Sequence, residues 1–501
     1  MEIESSSNKP KMAKSSYKSL AKSSGVVAFV QVFQLILGMV RNKVVAIHLG
    51  TEGFGIWGLY QTFLEMVSSF STLGVNQSGV REIAKKDKFS IETAKSISSL
   101  GILVGLFSLI STIIIIFFSE LISLSLFNSK DYSIGVMISG FAILFHGLFN
   151  SNKTILNGIR DIRGLALSQI ISAIVASFIA ILLIYLLKED GIAISLLIIS
   201  MSGALISYLF IQKNRLKTVL PTMKEFKSES KDLIKLGLGF SSSAAIAALA
   251  TYLSRTYLVS QYDLGIVGIY QASWTISNLY VGIILAAMGV DFMPRLTQLI
   301  SDKTKMNSLV NDQLELGVLI SSIGVVFIIA YSDLILEILY SSNFKQGQSI
   351  IKWQILGVFL RVLGYPFSHL LMANKKALIY AIVQFIFWFG DYLLLILLIN
   401  TLGVTSLGLN YFLAYAIYLV LIWIICYRIF QFRSSKLVKR IVLIAVLFIF
   451  SSIYLTNSFS TPLNYLLNIL VISAMAFWIN GTLKKHMGIS IVSFLKHKIK
   501  K

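Results

Sequence analysis

Gly55-Ile56-Trp57-Gly58-Leu59-Tyr60-Gln61 returns 210 positions later as Gly265-Ile266-Val267-Gly268-Ile269-Tyr270-Gln271. Gly74-Val75 returns as Gly289-Val290 and Gln169 as Gln384, both at an offset of 215, so a few residues have been inserted between the copies. A hydrophobic chain made of two copies of one unit usually encloses a cleft between them, which is the plan of many secondary transporters. The duplication therefore predicts movement of a cargo across a membrane.

Composition supports a membrane setting. The 501 residues are 56% hydrophobic and 13% charged, about half the charge of an average soluble domain. Runs such as 102–118 and 441–450 exceed what one water-soluble core hides. They are also too long for barrel strands, so the spans read as helices with internally paired backbones. The expected fold is an all-α integral membrane protein of about fourteen transmembrane helices at ~20 residues each. The single cysteine, Cys426, excludes a disulfide framework and a Cys-rich metal site.

Charge orders the spans. With the N-terminus in the cytoplasm, 36 of the 44 Lys and Arg residues fall in the N-terminal arm, the even-numbered loops and the C-terminal tail. This is the positive-inside pattern, with both termini cytoplasmic in the cell membrane. The net charge of +21 thus reflects topology and attraction to anionic membrane lipids, and nucleic acid is not an expected partner. The predicted division is a cytoplasmic arm (1–25), a six-helix bundle (26–212), a basic linker (213–235), a second six-helix bundle (236–428), two additional helices (429–481) and a basic tail (482–501). Because six is even, the bundles are parallel repeats. The stretch 81–88 reads as a short amphipathic interfacial helix, with 294–300 as its counterpart.

Ionisable residues inside spans mark candidate sites. Arg361 is near the middle of its predicted span, beside Tyr365 and Pro366, and suits either an anionic ligand or an ion pair with Asp391. Arg41 and Lys43 lie in the first span and Arg255 just past the seventh, all suited to an anion or to snorkelling. Glu65, Asp291 and Asp391 are candidates for a coupling proton or sodium ion. Asn76 corresponds to Asp291, and nothing in the first copy matches Arg361. His48, His146 and His369 read most simply as satisfied polar residues. No Walker lysine motif, H-E-x-x-H or nucleophile elbow is present, so neither an enzyme nor a cofactor is expected.

Three blocks in order resemble a known family. They are Leu49-Gly50 with Gly53, Gly55 and Gly58; 268–272 continuing through Ile276-Ser277-Asn278-Leu279-Tyr280 to Met293-Pro294-Arg295-Leu296; and Ser342-Asn343-Phe344 followed by Trp353-Gln354-Ile355-Leu356-Gly357. Over most of 15–428 the chain is similar to the Wzx-type flippases of O-antigen and enterobacterial common antigen. These belong to the multidrug/oligosaccharidyl-lipid/polysaccharide exporter superfamily. The resemblance implies two MATE-like bundles in a V, alternating access and an undecaprenyl-pyrophosphate-linked oligosaccharide as cargo. It places Arg361, Arg41 and Lys43 by location among basic cavity residues. Gln61, Asn150, Gln271 and Tyr365 are expected to meet sugar, and a polysaccharide polymerase and chain-length regulator are expected partners. The helices within 441–479 exceed the twelve-span core of the common-antigen branch, which leaves lipid II-type cargo as an alternative. A multidrug/cation antiporter of the same superfamily is a second alternative.

Overall fold

The computed structural model describes residues 10–217, 219–374 and 376–487. The start of the N-terminal arm and the end of the basic tail lie outside them. Among the described residues every regular element is a helix. The chain forms two compact units that divide at 267/268.

The first unit contains α1 (Pro10–Thr72), α2 (Val75–Ala84), α3 (Ile91–Phe117), α4 (Ser119–Phe127), α5 (Ser133–Gly158), α6 (Ile162–Leu187), α7 (Gly191–Lys213) and α8 (Met223–Gln261). The second begins within α9 (Leu264–Leu299) and contains α10 (Lys303–Ala330), α11 (Ser332–Leu339), α12 (Gln348–Ala373), α13 (Ala377–Leu402), α14 (Ser406–Phe430), α15 (Lys436–Ser458) and α16 (Thr461–Met487).

Among the described residues, ten helical stretches are long and apolar enough to cross a membrane, or eleven with the α8 segments Met223–Leu238 and Ser241–Gln261, which meet at 62°. Three of the ten, with 44, 52 and 53 residues, are long enough for two crossings each, since ~20 helical residues span ~30 Å of hydrocarbon. Each is broken near its middle: at Gly50, whose φ of 67° and ψ of −162° are not helical, and at the 3₁₀ turns 188–190 and 403–405. Large apolar side chains such as Phe117, Phe178, Leu397 and Phe477 remain exposed, as lipid-facing surfaces require. Helix contacts instead use small polar side chains. Thr112 Oγ1 donates to the Gly140 carbonyl at 2.7 Å, and Asn152 Nδ2 donates to the Ala204 carbonyl at 3.1 Å.

The duplication is legible in the element bounds. Adding 215 to the bounds of α5 gives those of α12, adding 215 to α6 gives α13, and adding 215 to the turn 188–190 gives the turn 403–405. This register places His146 at the position of Arg361 and Asn150 at that of Tyr365. The copies also differ. In the first, Leu73 and Gly74 take positive φ and break the chain before α2. In the second, α9 continues through Pro294 to Leu299, so 294–300 is not a separate helix. The break exists because the chain passes α8 closely there: a Cβ on Gly74 would collide with the Gly237 carbonyl and the Ser241 side chain.

The start of α8 is bound to the first unit. Thr222 and Glu225 form a capping box, Lys95 pairs with Glu225 at 2.6 Å and Lys86 with Glu229 at 3.4 Å. Leu233 joins a buried cluster with Val75, Ile83, Leu100 and Leu156. The compact units therefore divide after α8, later in the chain than the basic linker.

Candidate functional site

The second unit builds a site around Arg361. Three helices supply its walls. On α12, Gln354, Arg361, Tyr365 and Ser368 share one face at helical spacing. On α9, Gln271, Trp274 and Asn278 do the same. On α14, Tyr411, Tyr415 and Tyr418 form a buried stripe at i, i+4 and i+7. Arg361 Nη1 donates to Asn278 Oδ1 at 3.5 Å and to Tyr411 Oη at 3.4 Å, and its guanidinium lies 5.9 Å from the Tyr415 ring centroid. Trp274 meets Tyr411 edge-on at 5.4 Å.

These partners are neutral, and the hydrogen bonds are long beside the ~2.7–2.9 Å typical of a charged pair. The expected alternative, an ion pair with Asp391, does not form. Asp391 is buried and accepts from Asn410 Nδ2 at 2.9 Å. Among the described residues no carboxylate lies within 4.0 Å of Arg361. An arginine at the centre of a span costs about 2.5–3.5 kcal/mol on insertion scales. Aromatic faces and amide oxygens offset part of that cost, and the net positive charge stays in place for an anion.

Other expected residues of this unit are less central. Gln271 is buried and reaches Thr275 Oγ1 at 3.4 Å. The Tyr365 ring packs on His369 at 4.0 Å. Asp291 is exposed and pairs with Arg295 at 2.6 Å, one helical turn away on α9. An apolar cavity of about 510 Å³ opens between α10, α12, α14 and α15, lined by Leu363, Phe367, Trp423 and Val442 with Lys439 among them.

The first unit holds Arg41, Lys43, Gln61, Glu65, Asn150 and Arg255. Arg41 stacks over buried Trp57 at 5.2 Å. It lines a cavity of about 220 Å³ with Gln34, Phe149, Gln169, Ser172 and Gly203. Lys43, two residues along, projects from another side of α1, so the two cations do not act as a pair. Arg255 is buried at 4% exposure and donates from Nη1 to the Gly58 carbonyl at 2.9 Å and to Thr62 Oγ1. It thus clamps α8 onto the repeated Gly55–Gln61 segment. Glu65 continues the Gly58–Thr62 stripe within the field of Arg255 and keeps accessible surface. Gln61 is half-buried on α1, and Asn150 is half-buried on α5.

Sequence reasoning missed two features. The tyrosine stripe of α14 was visible as 411/415/418 spacing but reads equally as core. Lys153, near the end of its apolar run, reads as a basic loop residue by sequence, yet α5 runs to Gly158 and carries it inside the helix, with its ammonium 4.5 Å from the Phe149 ring centroid.

This is a polytopic helical membrane protein with, in one unit, an arginine site where among the described residues no carboxylate lies within 4.0 Å. Residues 20–300, more than half of the chain, match the family described as "Polysaccharide biosynthesis protein", and the chain belongs to that family. It is 22% identical over 371 residues to the lipid III flippase of Escherichia coli (strain K12), covering 73% of this chain and 88% of that protein. It is 25% identical over 336 residues to a putative O-antigen transporter of Shigella flexneri, covering 66% and 79%. Its fold is similar to that of the lipid II flippase MurJ in an inward closed conformation, with a TM-score of 0.72, 19% identity, and 92% and 99% coverage. It is also similar to an inward-facing multidrug resistance MATE family transporter of the MOP superfamily, with a TM-score of 0.70, 15% identity, and 79% and 94% coverage.

Proposed function

We propose that the protein is a flippase for an undecaprenyl-pyrophosphate-linked oligosaccharide, an O-antigen unit or a related surface-polysaccharide repeat. It would carry its cargo from the inner to the outer leaflet of the cytoplasmic membrane by alternating access. Counting each broken long stretch as two crossings and α8 as one gives the fourteen spans this reading uses, with both termini cytoplasmic. The observation that carries the proposal is Arg361: a mid-span guanidinium with neutral, long-range partners suits a pyrophosphate, whose charge cannot cross hydrocarbon uncompensated.

In this reading Arg361 holds the headgroup, with Asn278 and Tyr411 positioning the guanidinium. Gln271 and Tyr365 in the second unit, and Gln61 and Asn150 in the first, offer sugar-facing donors, acceptors and rings. Arg41 and Lys43 remain basic groups of the cargo path, while Arg255 serves as the clamp. The apolar groove beside α15 suits the polyprenyl tail, with Lys439 among its lining residues. Glu65 and Asp391 are the coupling-ion candidates we retain, since Asp291 has a local partner. The polymerase and chain-length regulator of the same polysaccharide would receive the product.

Deletion of the protein followed by mass analysis of lipid-linked intermediates tests the reading. Accumulation of one pyrophosphate-linked repeat unit supports it and names the cargo. An unchanged lipid pool with altered drug sensitivity would favour a multidrug antiporter instead, and accumulation of peptidoglycan precursor would favour a lipid II-type cargo.

A further inference from the structure

In the first unit, α5 carries His146, Phe149, Asn150 and Lys153 at spacings of three and four, which places them on one helical face. All four are partly accessible, whereas Gly140, Gly147, Ser151 and Ile155 on other faces are buried. A lipid-facing stripe is apolar. A face bearing imidazole, amide and ammonium groups within a span lines a polar path instead.

Lys153 is five residues from the end of α5, or ~8 Å, within reach of a snorkelling lysine. Its ammonium does not take that route. It lies over Phe149, one turn deeper in the span. Among the described residues no carboxylate lies within 4.0 Å of it. A cation turned inward without an acid keeps its charge for another partner. The repeat register strengthens the point, because His146 occupies the place of Arg361, and Asn150 that of Tyr365.

We infer that His146, Asn150 and Lys153 form a second anion-binding station, the repeat equivalent of the one at Arg361, and that it takes a phosphate or pyrophosphate group. Lys153 supplies the charge, and His146 and Asn150 supply hydrogen-bond donors. This rests on the reading of Arg361 as a headgroup ligand and assigns the same chemical class to the first repeat. The stations differ in strength, because a guanidinium engages phosphate through a planar fork and an ammonium acts as a point charge. Two unequal stations suit a cargo that must be captured and then released.

The test is equilibrium binding of labelled inorganic pyrophosphate to the full chain in phosphatidylcholine nanodiscs. Two classes of site are expected. Lys153→Gln should weaken one class about tenfold and spare the other, Arg361→Gln should do the reverse, and the double variant should lose both. Lys153→Arg should retain binding and so reports on folding. If Lys153→Gln leaves binding unchanged while Arg361→Gln weakens it, or if Arg361→Gln alone removes all of it, the second station is overturned and the Arg361 reading stands. If Lys153→Gln weakens one class and Arg361→Gln has no effect, the Arg361 reading fails and the α5 station stands. No pyrophosphate binding by the wild type overturns both. Loss of the Lys153-dependent class when phosphatidylglycerol replaces part of the phosphatidylcholine would make the station a phospholipid site and overturn its assignment to cargo.

Discussion

Helices α5 and α12 have matching bounds in the two repeats, yet each meets its cation with an aromatic ring from a different source. In the first unit Gly203 of α7 accommodates Phe149 of α5, where an added Cβ would lie 3.1 Å from the ring. In the second, the same two register positions hold Gly364 on α12 and Tyr418 on α14, with the added Cβ 3.0 Å from the ring. Large and small have exchanged partners across one conserved contact. The consequence is chemical. A ring on α5 is available to Lys153 of the same helix, so that cation has a single aromatic face. A ring on α14 joins Tyr411 and Tyr415 beside Arg361. The first-copy counterparts of those three tyrosines are Leu196, Ser200 and Gly203, and Gly203 lines the cavity that also holds Arg41. One backbone thus supports a caged guanidinium in one repeat and a more open cationic face in the other.

The largest expected effect separates the two copies by function. Arg361→Ala should abolish surface polysaccharide at unchanged protein level, with Arg361→Lys milder, because a lysine restores charge but not the fork. Normal polysaccharide in the alanine variant would remove Arg361 from the mechanism. Next comes backbone geometry. Gly74→Ala forces a side chain into positive φ and into the Gly237 carbonyl, at an expected cost of about 2–4 kcal/mol. Its repeat mate Gly289→Ala meets only the end of the Tyr365 side chain and should cost less than about 1 kcal/mol. Thermal unfolding of the purified protein compares them, and equal losses would contradict the structural difference at this position.

The exchanged ring can be tested directly. Gly203→Ala crowds Phe149, and about 1–2 kcal/mol of destabilisation is expected. Phe149→Gly should cost more alone than in combination with Gly203→Tyr, which installs the second-copy arrangement. Additive losses in that double-mutant cycle would show that the two positions are not coupled.

The smallest effect concerns the segment that binds α8 to the first unit. The Lys95 ammonium, followed by the Thr222 backbone and hydroxyl, holds the exposed Glu225 carboxyl at about 2, below its ordinary range. A depressed carboxyl stabilises the fold above its unfolded value and loses that contribution as pH falls through the folded one. The unfolding-temperature difference between wild type and Glu225→Gln should therefore be full near pH 6 and shrink from about pH 4 towards about pH 2. A difference that grows on acidification would reverse the assignment.

Much of the fold was legible in the chain. Apolar runs, alternating basic loops and the repeated Gly55–Gln61 segment predict a duplicated helical membrane protein, because hydrocarbon length and unpaired backbone leave few alternatives. The candidate site was only partly legible. Arg361 stood out because a mid-span arginine is costly wherever it points. Asp391 on the next span is its natural partner by sequence, but packing gives that carboxylate to Asn410. Lys153 was hidden for the opposite reason: near a basic loop, a lysine reads as topology until its helix is seen to continue past it. His146 stands in register with Arg361 by the offset of 215 on either side of it, but an imidazole reads as a neutral polar residue, and only its place on a helix face with Lys153 gave it a role.

The sequence by itself determined the medium, the duplication and the residues whose charge must be explained, since those follow from transfer energies and spacing along one chain. Tertiary structure alone decided which charges are spent on structure, such as Arg255 on the Gly58 carbonyl, and which stay without an acid, such as Arg361 and Lys153. The physical reason is that a charge in a low-dielectric setting is defined by the few groups within ~4–6 Å of it, and those groups come from helices far apart in sequence.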